Sequence, residues 1–254
     1  MARITRPTLM IHNVRRQYFE LDLASYRLSF DDGLFSQYYY YPLLERAKSG
    51  MLFFPITSMI PKGPRRPTFD GMHLTYVKSP QYMAEARTPA GRMHFMTTEE
   101  VQFLKAQAGV QIGAHSHSHE VTLTHYLPKK PNSHWKRERL GEFPDHLTRA
   151  LAIRSRLAFQ GSFFRNGRMI RRTVSQWDEF VRYDTERCLD WFHRHLNFQP
   201  TAYCLPFNDY SDRLIEVLKN FGFTTFFGRR AKNTTVIART DIDRLLEEHP
   251  ARHG

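Results

Sequence analysis

The chain has 254 residues, of which 41% are hydrophobic and 24% charged, a balance that suits a packed globular core and excludes a disordered segment. Its formal net charge of +12 predicts attraction to something anionic: nucleic acid, an acidic membrane surface or a phosphorylated substrate. Two cysteines, Cys188 and Cys204, outside any CxxC pair argue against a disulfide framework or a cysteine-rich zinc module. No run approaches the ~20 apolar residues of a membrane-spanning helix, and residues 1–14 hold no apolar stretch of signal-peptide length. The expected compartment is therefore the cytoplasm, with peripheral contact at the inner face of an anionic membrane compatible with the charge.

In chain order, residues 1–25 mix short apolar pieces with arginine and are expected to form edge strands or a hairpin. Residues 26–30 read as a short strand that stops on Asp31-Asp32-Gly33. Adjacent carboxylates repel, so one dry location gains little from holding both. A metal site uses both, one binding the cation and the other taking a proton; the same tripeptide is also an ordinary turn. Residues 36–48 suit a helix with Ser36 as N-cap, interrupted by Pro42 and closed by Gly50. Residues 51–57 form a continuous apolar run fit for a parallel strand buried on both faces. Residues 61–95 lack a clear period, and an excursion of that length is usually functional or disordered. A helix over 97–107, capped by Thr97 or Thr98 with Glu99 and Glu100 in its first turn, leads to a strand over 110–113. His115-Ser116-His117-Ser118-His119 follows. Residues 120–170 are a second insertion, rich in Arg, Lys and His, with a helix expected over 145–158. Then come a helix over 173–196, a strand over 201–205, a helix over 211–220, strands over 223–227 and 235–238, and a helix over 241–248. Strand and helix alternate almost throughout, which predicts one α/β domain over 1–254 with a mainly parallel sheet or barrel.

His115 and His119 share a face whether their segment is helical or extended, so both can converge on one cation; His117 either points away or is a further ligand. Both this segment and the Asp pair follow a buried strand, and in parallel α/β folds active sites collect at the C-terminal strand ends. Asp32, His115 and His119 would give a two-nitrogen, one-oxygen site with a position left for water, and Asp31 would be a base beside that water. A histidine-rich surface loop is the alternative.

These motifs resemble those of the polysaccharide deacetylases, the NodB-homology family. Ser29-Phe30-Asp31-Asp32-Gly33 resembles the family's Thr/Ser-Phe-Asp-Asp-Gly motif, and His115-Ser116-His117-Ser118-His119 its His-Ser/Thr-x-x-His motif. Tyr203-Cys204-Leu205-Pro206-Phe207 falls where an Arg-x-Pro-Tyr-like motif is expected. The resemblance implies a distorted (β/α) barrel with long insertions at 61–95 and 120–170. It also implies hydrolysis of an N-acyl group on an amino sugar with one divalent ion, expected to be zinc. Carried over to this chain, Asp31 is the catalytic base, Asp32, His115 and His119 are the metal ligands, and the backbone N–H of Phe207 faces the oxyanion.

The chain also departs from the family pattern. The arginine that pairs with the catalytic Asp corresponds to Cys204, and the third-motif tyrosine to Phe207. The last motif, Leu-x-His, which supplies the family's acid histidine, reads Ile237-Ala238-Arg239. Arg239 cannot release a proton near neutral pH; its expected role is to pair with Asp31 in place of the arginine lost at Cys204. The general acid is then sought among the insertion histidines, His125, His134 and His146. Basic stretches at 62–66, 129–139 and 165–172 lie outside the motif matches and suggest a nucleotide- or lipid-linked sugar, as in lipopolysaccharide assembly, bearing an acetyl or formyl group. A non-hydrolytic carbohydrate-binding relative is a second reading. Nucleic-acid binding is a third, prompted by the charge and by Tyr38 to Tyr41, but no helix-turn-helix, zinc-finger or RNA-binding signature supports it, and no nucleic-acid partner is expected.

Overall fold

The structure, a computed structural model, describes residues 6–228 and 235–248; the outermost parts of the expected 1–254 domain lie outside the described residues. Its strands are β1 (Thr8–Ile11), β2 (Arg27–Asp32), β3 (Met51–Pro55), β4 (Val110–Ile112), β5 (Val121–Leu123), β6 (Ile153–Ser155), β7 (Ser162–Arg165), β8 (Arg168–Arg171), β9 (Ala202–Cys204), β10 (Thr225–Gly228) and β11 (Val236–Asp241). Seven of them pair in parallel in the order β4-β3-β2-β1-β11-β10-β9. Just beyond β4 the backbone of Ala114 donates to Ala202 O (2.9 Å) and accepts from Cys204 N (2.8 Å), which brings the two edges together and nearly closes a barrel. Gly113 permits that approach: a Cβ there would lie 2.4 Å from Phe54 Cε1 and 2.8 Å from Ala202 O. The architecture is the distorted (β/α) barrel of the NodB type.

Strand periodicity sorts the side chains. Ser29, Asp31, Leu52 and Phe54 share one face of paired β2 and β3. Leu52 and Phe54 pack with Cys204 and Phe227 into a small interior cluster. The alternate residues, including the stacked rings of Phe30 and Phe53 with centroids 4.6 Å apart, belong to the main core beneath the helices. The barrel interior is thus apolar below and ionisable at the level of Asp31.

Three local expectations are corrected, and of the two readings of residues 61–95, functional or disordered, the second is set aside. Residues 6–25, the described part of that stretch, do not form an edge or hairpin: β1 is an interior strand between β2 and β11, with all four residues buried. The helix over 36–48 is instead α1 (Phe35–Tyr39), α2 (Tyr41–Leu44) and a 3₁₀ turn, Glu45–Ala47. Ser36 is not its cap, because its hydroxyl accepts from Val14 N; Pro42 sits in the first turn of α2, where a missing N–H is tolerated. Residues 61–95 are anchored, not structureless. Their path carries α3 (Ser79–Glu85), accepts hydroxyl bonds from Tyr38 and Tyr39 at Arg66 O and Met72 O, and is tied by Arg66 to buried Glu100 of α4 (Thr98–Lys105). All four tyrosines 38–41 are buried in that packing, so they present no stacking platform for bases. In 120–170, β5 to β8 form an antiparallel sheet of order β6-β5-β7-β8, joined by α5 (His134–Glu138) and α6 (Asp145–Ala150). The helix expected to run to residue 158 stops at Ala150. Leu151 turns extended, and β6 instead pairs with β5 from Ile153 to Ser155.

The remaining helices, α7 (Val174–Leu196), α8 (Asp212–Asn220) and α9 (Ile242–Glu248), lie close to their expected spans. α7 starts on a capping box between Thr173 and Gln176. No helix among the described residues is long and apolar enough to cross a membrane.

Candidate active site

The C-terminal end of β2 delivers two buried carboxylates to the barrel mouth. Asp31 receives Arg239 in bidentate fashion, Nη1 to Oδ1 at 2.6 Å and Nη2 to Oδ2 at 2.9 Å. Arg239 lies within β11, not at a strand end, opposite Thr8, and its side chain is fully buried. Its Nη1 also donates to the Ser29 hydroxyl, which in turn donates to Leu9 O. The Cys204 thiol approaches Asp31 Oδ1 at 3.4 Å. The corner left by an arginine at position 204 is therefore filled from another strand. Burial pushes the Asp31 carboxyl up, but the Arg239 guanidinium, helped by His115, more than offsets this and holds it below the ordinary carboxylate range.

Asp32 turns the other way. It adopts a left-handed backbone (φ 72°), as does Gly33 (φ 80°), where a Cβ would lie 2.9 Å from the Pro55 Cβ. The turn separates the two carboxylates. Tyr82 of α3 donates its hydroxyl to Asp32 Oδ2 at 2.8 Å, while Oδ1 faces His115 Nε2 at 3.5 Å and His119 Nε2 at 3.9 Å. His115 Nδ1 lies 2.9 Å from Cys204 O, so a proton on Nδ1 leaves the Nε2 lone pair toward Asp32. Burial holds His119 down at about 3, so it is a neutral imidazole at physiological pH. The other ring nitrogen of His119, Nδ1, is buried without a hydrogen-bond partner.

One ligand atom from each of Asp32, His115 and His119 lies within 4.8 Å of the others. The two-nitrogen, one-oxygen donor set and an Asp32 oxygen free of Tyr82 fit a divalent ion of the zinc type. Asp31, His115 and Cys204 also cluster, but Asp31 is engaged by Arg239 and burial raises the Cys204 thiol, so this second grouping is the poorer ligand set.

The loop between the histidines is shaped from outside. Asp184, buried on α7, accepts from His117 N (2.9 Å), Ser118 N (2.9 Å), Ser118 Oγ (2.5 Å) and Ser116 Oγ (3.3 Å). Ser116 Oγ accepts in turn from His119 N at 2.8 Å. These bonds hold Ser116 and His119 at φ 70° and 51° and direct His117 away, its Nδ1 2.9 Å from Thr57 Oγ1. Sequence reasoning missed Asp184, although a carboxylate on the apolar side of a predicted helix was a readable anomaly.

It also missed His12. This residue follows β1 directly, and its Nε2 is 3.9 Å from Asp31 Oδ2. Gln37 of α1 staples the two strand ends, its Nε2 donating to His12 O (2.8 Å) and Asp31 O (2.6 Å). His12, Asp31, Asp32, His115 and His119 line one cavity of about 200 Å³, walled by Tyr82, Trp135 and Phe207. Phe207 is in the left-handed region (φ 59°), and its ring packs on His119 and Trp135 at centroid distances of 4.3 Å and 6.0 Å. Larger grooves of about 630 to 740 Å³ lie elsewhere, but none is lined by a comparable group of ligating side chains. The insertion histidines are outside the cavity: His134 is exposed beside Glu138, His146 is exposed on α6, and His125 meets Ser162 Oγ.

Comparisons with known proteins bear on the fold and the family. Similar solved structures include a de-N-acetylase from Aggregatibacter actinomycetemcomitans (15% identity, 92% of this chain and 93% of that one, TM-score 0.58). The deacetylase domain of BpsB from Bordetella bronchiseptica (16%, 85% and 70%, 0.57) and IcaB from Ammonifex degensii (15%, 92% and 90%, 0.56) are also similar. At these identities they establish the fold. No curated protein matches the chain in sequence. The family model for polysaccharide deacetylase matches residues 24–226, a span that contains both carboxylates and both facing histidines, and the chain therefore belongs to the polysaccharide deacetylase family.

Proposed function

We propose that the protein is a metal-dependent hydrolase that removes an N-acyl group, acetyl or formyl, from an amino sugar. The observation that carries this reading is the division of labour at the end of β2: Asp31 is held ionised by Arg239, while Asp32 is grouped with His115 and His119 around a ligand-sized gap. A divalent ion held by Asp32, His115 and His119, with zinc the expected occupant, would polarise the acyl carbonyl and acidify the attacking water.

The chain's own groups do the rest. Asp31 accepts the proton of the attacking water, and Arg239 keeps its carboxylate ionised and oriented by two bonds. His12 is the general acid that protonates the leaving sugar amine, a role argued from its place beside Asp31 in the same cavity. The Phe207 backbone N–H is the donor to the developing oxyanion, as the family resemblance implies. Phe207 and Trp135 supply apolar walls against which a sugar ring can lie. Exposed Lys129, Lys130, Arg165 and Arg168 on the second insertion support a nucleotide- or lipid-linked substrate at a cytoplasmic membrane face during envelope glycan assembly.

The test is acyl release from N-acetylated and N-formylated amino sugars by the wild type and by Asp31→Asn, with metal content measured alongside. The proposal expects release that falls by about 10²- to 10⁴-fold in Asp31→Asn with metal retained. Sugar binding without release by the wild type would favour a non-hydrolytic relative.

A further inference from the structure

Lys136 of α5 lines the same cavity as Asp31, Asp32 and the two histidines, and the mechanism above does not use it. Its Nζ stands 4.2 Å from the centroid of the Phe207 ring and 5.6 Å from that of Trp135. It makes no ion pair among the described residues, and the acids near it are engaged elsewhere. Asp209 accepts from Arg154 and from Ser155 N, Asp31 is taken by Arg239, Asp32 by Tyr82 and the histidines, and Glu138 by His134. Burial lowers the Lys136 pKa, and Asp209 opposes that shift. This half-buried ammonium, held against an aromatic wall and without a carboxylate of its own, is available to an anion entering the cavity. The charges add in the same sense: Arg239 neutralises Asp31, and a divalent ion would overcompensate Asp32, leaving the loaded pocket cationic.

We propose that Lys136 is a specificity residue that selects an amino sugar carrying an anionic oxygen group, a phosphate ester or a carboxylate, close to the N-acyl group. This rests on the deacylase reading and narrows its substrate class. Phe207 touches both His119 and Lys136, so a sugar lying against that ring can place its acyl group at the histidines and its anion at the ammonium.

The experiment uses the zinc-loaded full chain and three probes: N-acetylglucosamine, its 6-phosphate and N-acetylmuramic acid. Acetate release supplies kcat and KM, and calorimetry supplies affinity. The wild type is expected to favour a charged probe over the neutral one, and which charged probe wins tells phosphate from carboxylate. Lys136→Met is expected to raise KM and Kd for that probe by about 10- to 100-fold, with kcat and the neutral probe unchanged, and Lys136→Arg to restore most of the affinity. Equal losses on charged and neutral probes would mean that Lys136 only balances the pocket's carboxylates, and would overturn the proposal. Absence of a charge preference in the wild type, or its survival in Lys136→Met, would overturn it as well. Lys136-dependent binding of a charged probe without acetate release would instead uphold the anion site and sink the hydrolase reading.

Discussion

In the proposed reaction Asp31 must stay ionised in a buried position and still accept a proton, and Arg239 reconciles the two requirements. Removing the guanidinium takes away the main opposition to burial, so the Asp31 pKa rises. Activity needs the carboxylate, so the acid limb of the kcat/KM profile of Arg239→Met should move to higher pH; an unmoved limb would separate Arg239 from the chemistry. The linkage has a matching sign. A carboxylate whose folded pKa is depressed adds stability above its unfolded pKa and loses it as pH falls through the folded value. Arg239→Met should therefore cost about 3–5 kcal/mol near neutral pH by stranding a buried charge, read from denaturant unfolding, with a smaller deficit in acid. His12 makes a separate prediction. His12→Gln should lose about 10²- to 10⁴-fold on an N-acetyl sugar but little on 4-nitrophenyl acetate, whose leaving group needs no proton; equal losses on both would remove His12 as the acid. The signal for His12 was present as a polar residue directly after the apolar run Thr8-Leu9-Met10-Ile11, the same pattern that exposed Asp31. It was obscured by reading that run as an edge.

α7 shows how an element outside the cavity sets the geometry of the segment that carries His115 and His119. Its buried face runs through Trp177, Val181, Asp184, Cys188 and Trp191, and Asp184 is the one carboxylate among them. An amide there turns donors toward donors. Asp184→Asn should weaken zinc binding by about 10- to 100-fold, as loss of a supporting hydrogen-bond partner typically does, and destabilise the fold by about 1–3 kcal/mol for each donor left bare. Competition with a chromogenic chelator and thermal unfolding would read the two effects; unchanged zinc affinity would reduce Asp184 to a packing role. Helices with a full amphipathic period and a cap, such as α4 and α7, were legible from sequence. α1 and α2 were not, since four consecutive tyrosines carry no period and their burial depends on residues 66–74 folding over them. The end of α6 was set by the pairing of β6 with β5, a non-local event that local propensity does not register.

For the whole molecule, alternating strands and helices made a parallel α/β barrel legible, because strands buried on both faces read as plain apolar runs. The closure between β4 and β9 was not legible, because it depends on one bridge at Ala114 and the empty space at Gly113. Gly113→Ala would drive a Cβ into Phe54 and Ala202 O, so it should lower the melting temperature and loosen the segment that delivers His115, reducing activity and zinc affinity together. Wild-type melting and zinc binding in that variant would contradict the closure described. The sequence motifs also grouped Asp32 with His115 and His119 without any view of Tyr82 or Gln37, which insertion and helix supply from positions with no motif of their own. The most direct measurement of the central claim is acyl release by the full chain after chelation and stepwise return of zinc. Activity should vanish on chelation and return with a break at one ion per chain, and His115→Ala and His119→Ala should neither bind that ion nor recover. Acyl release that persists after complete metal removal would contradict the assignment.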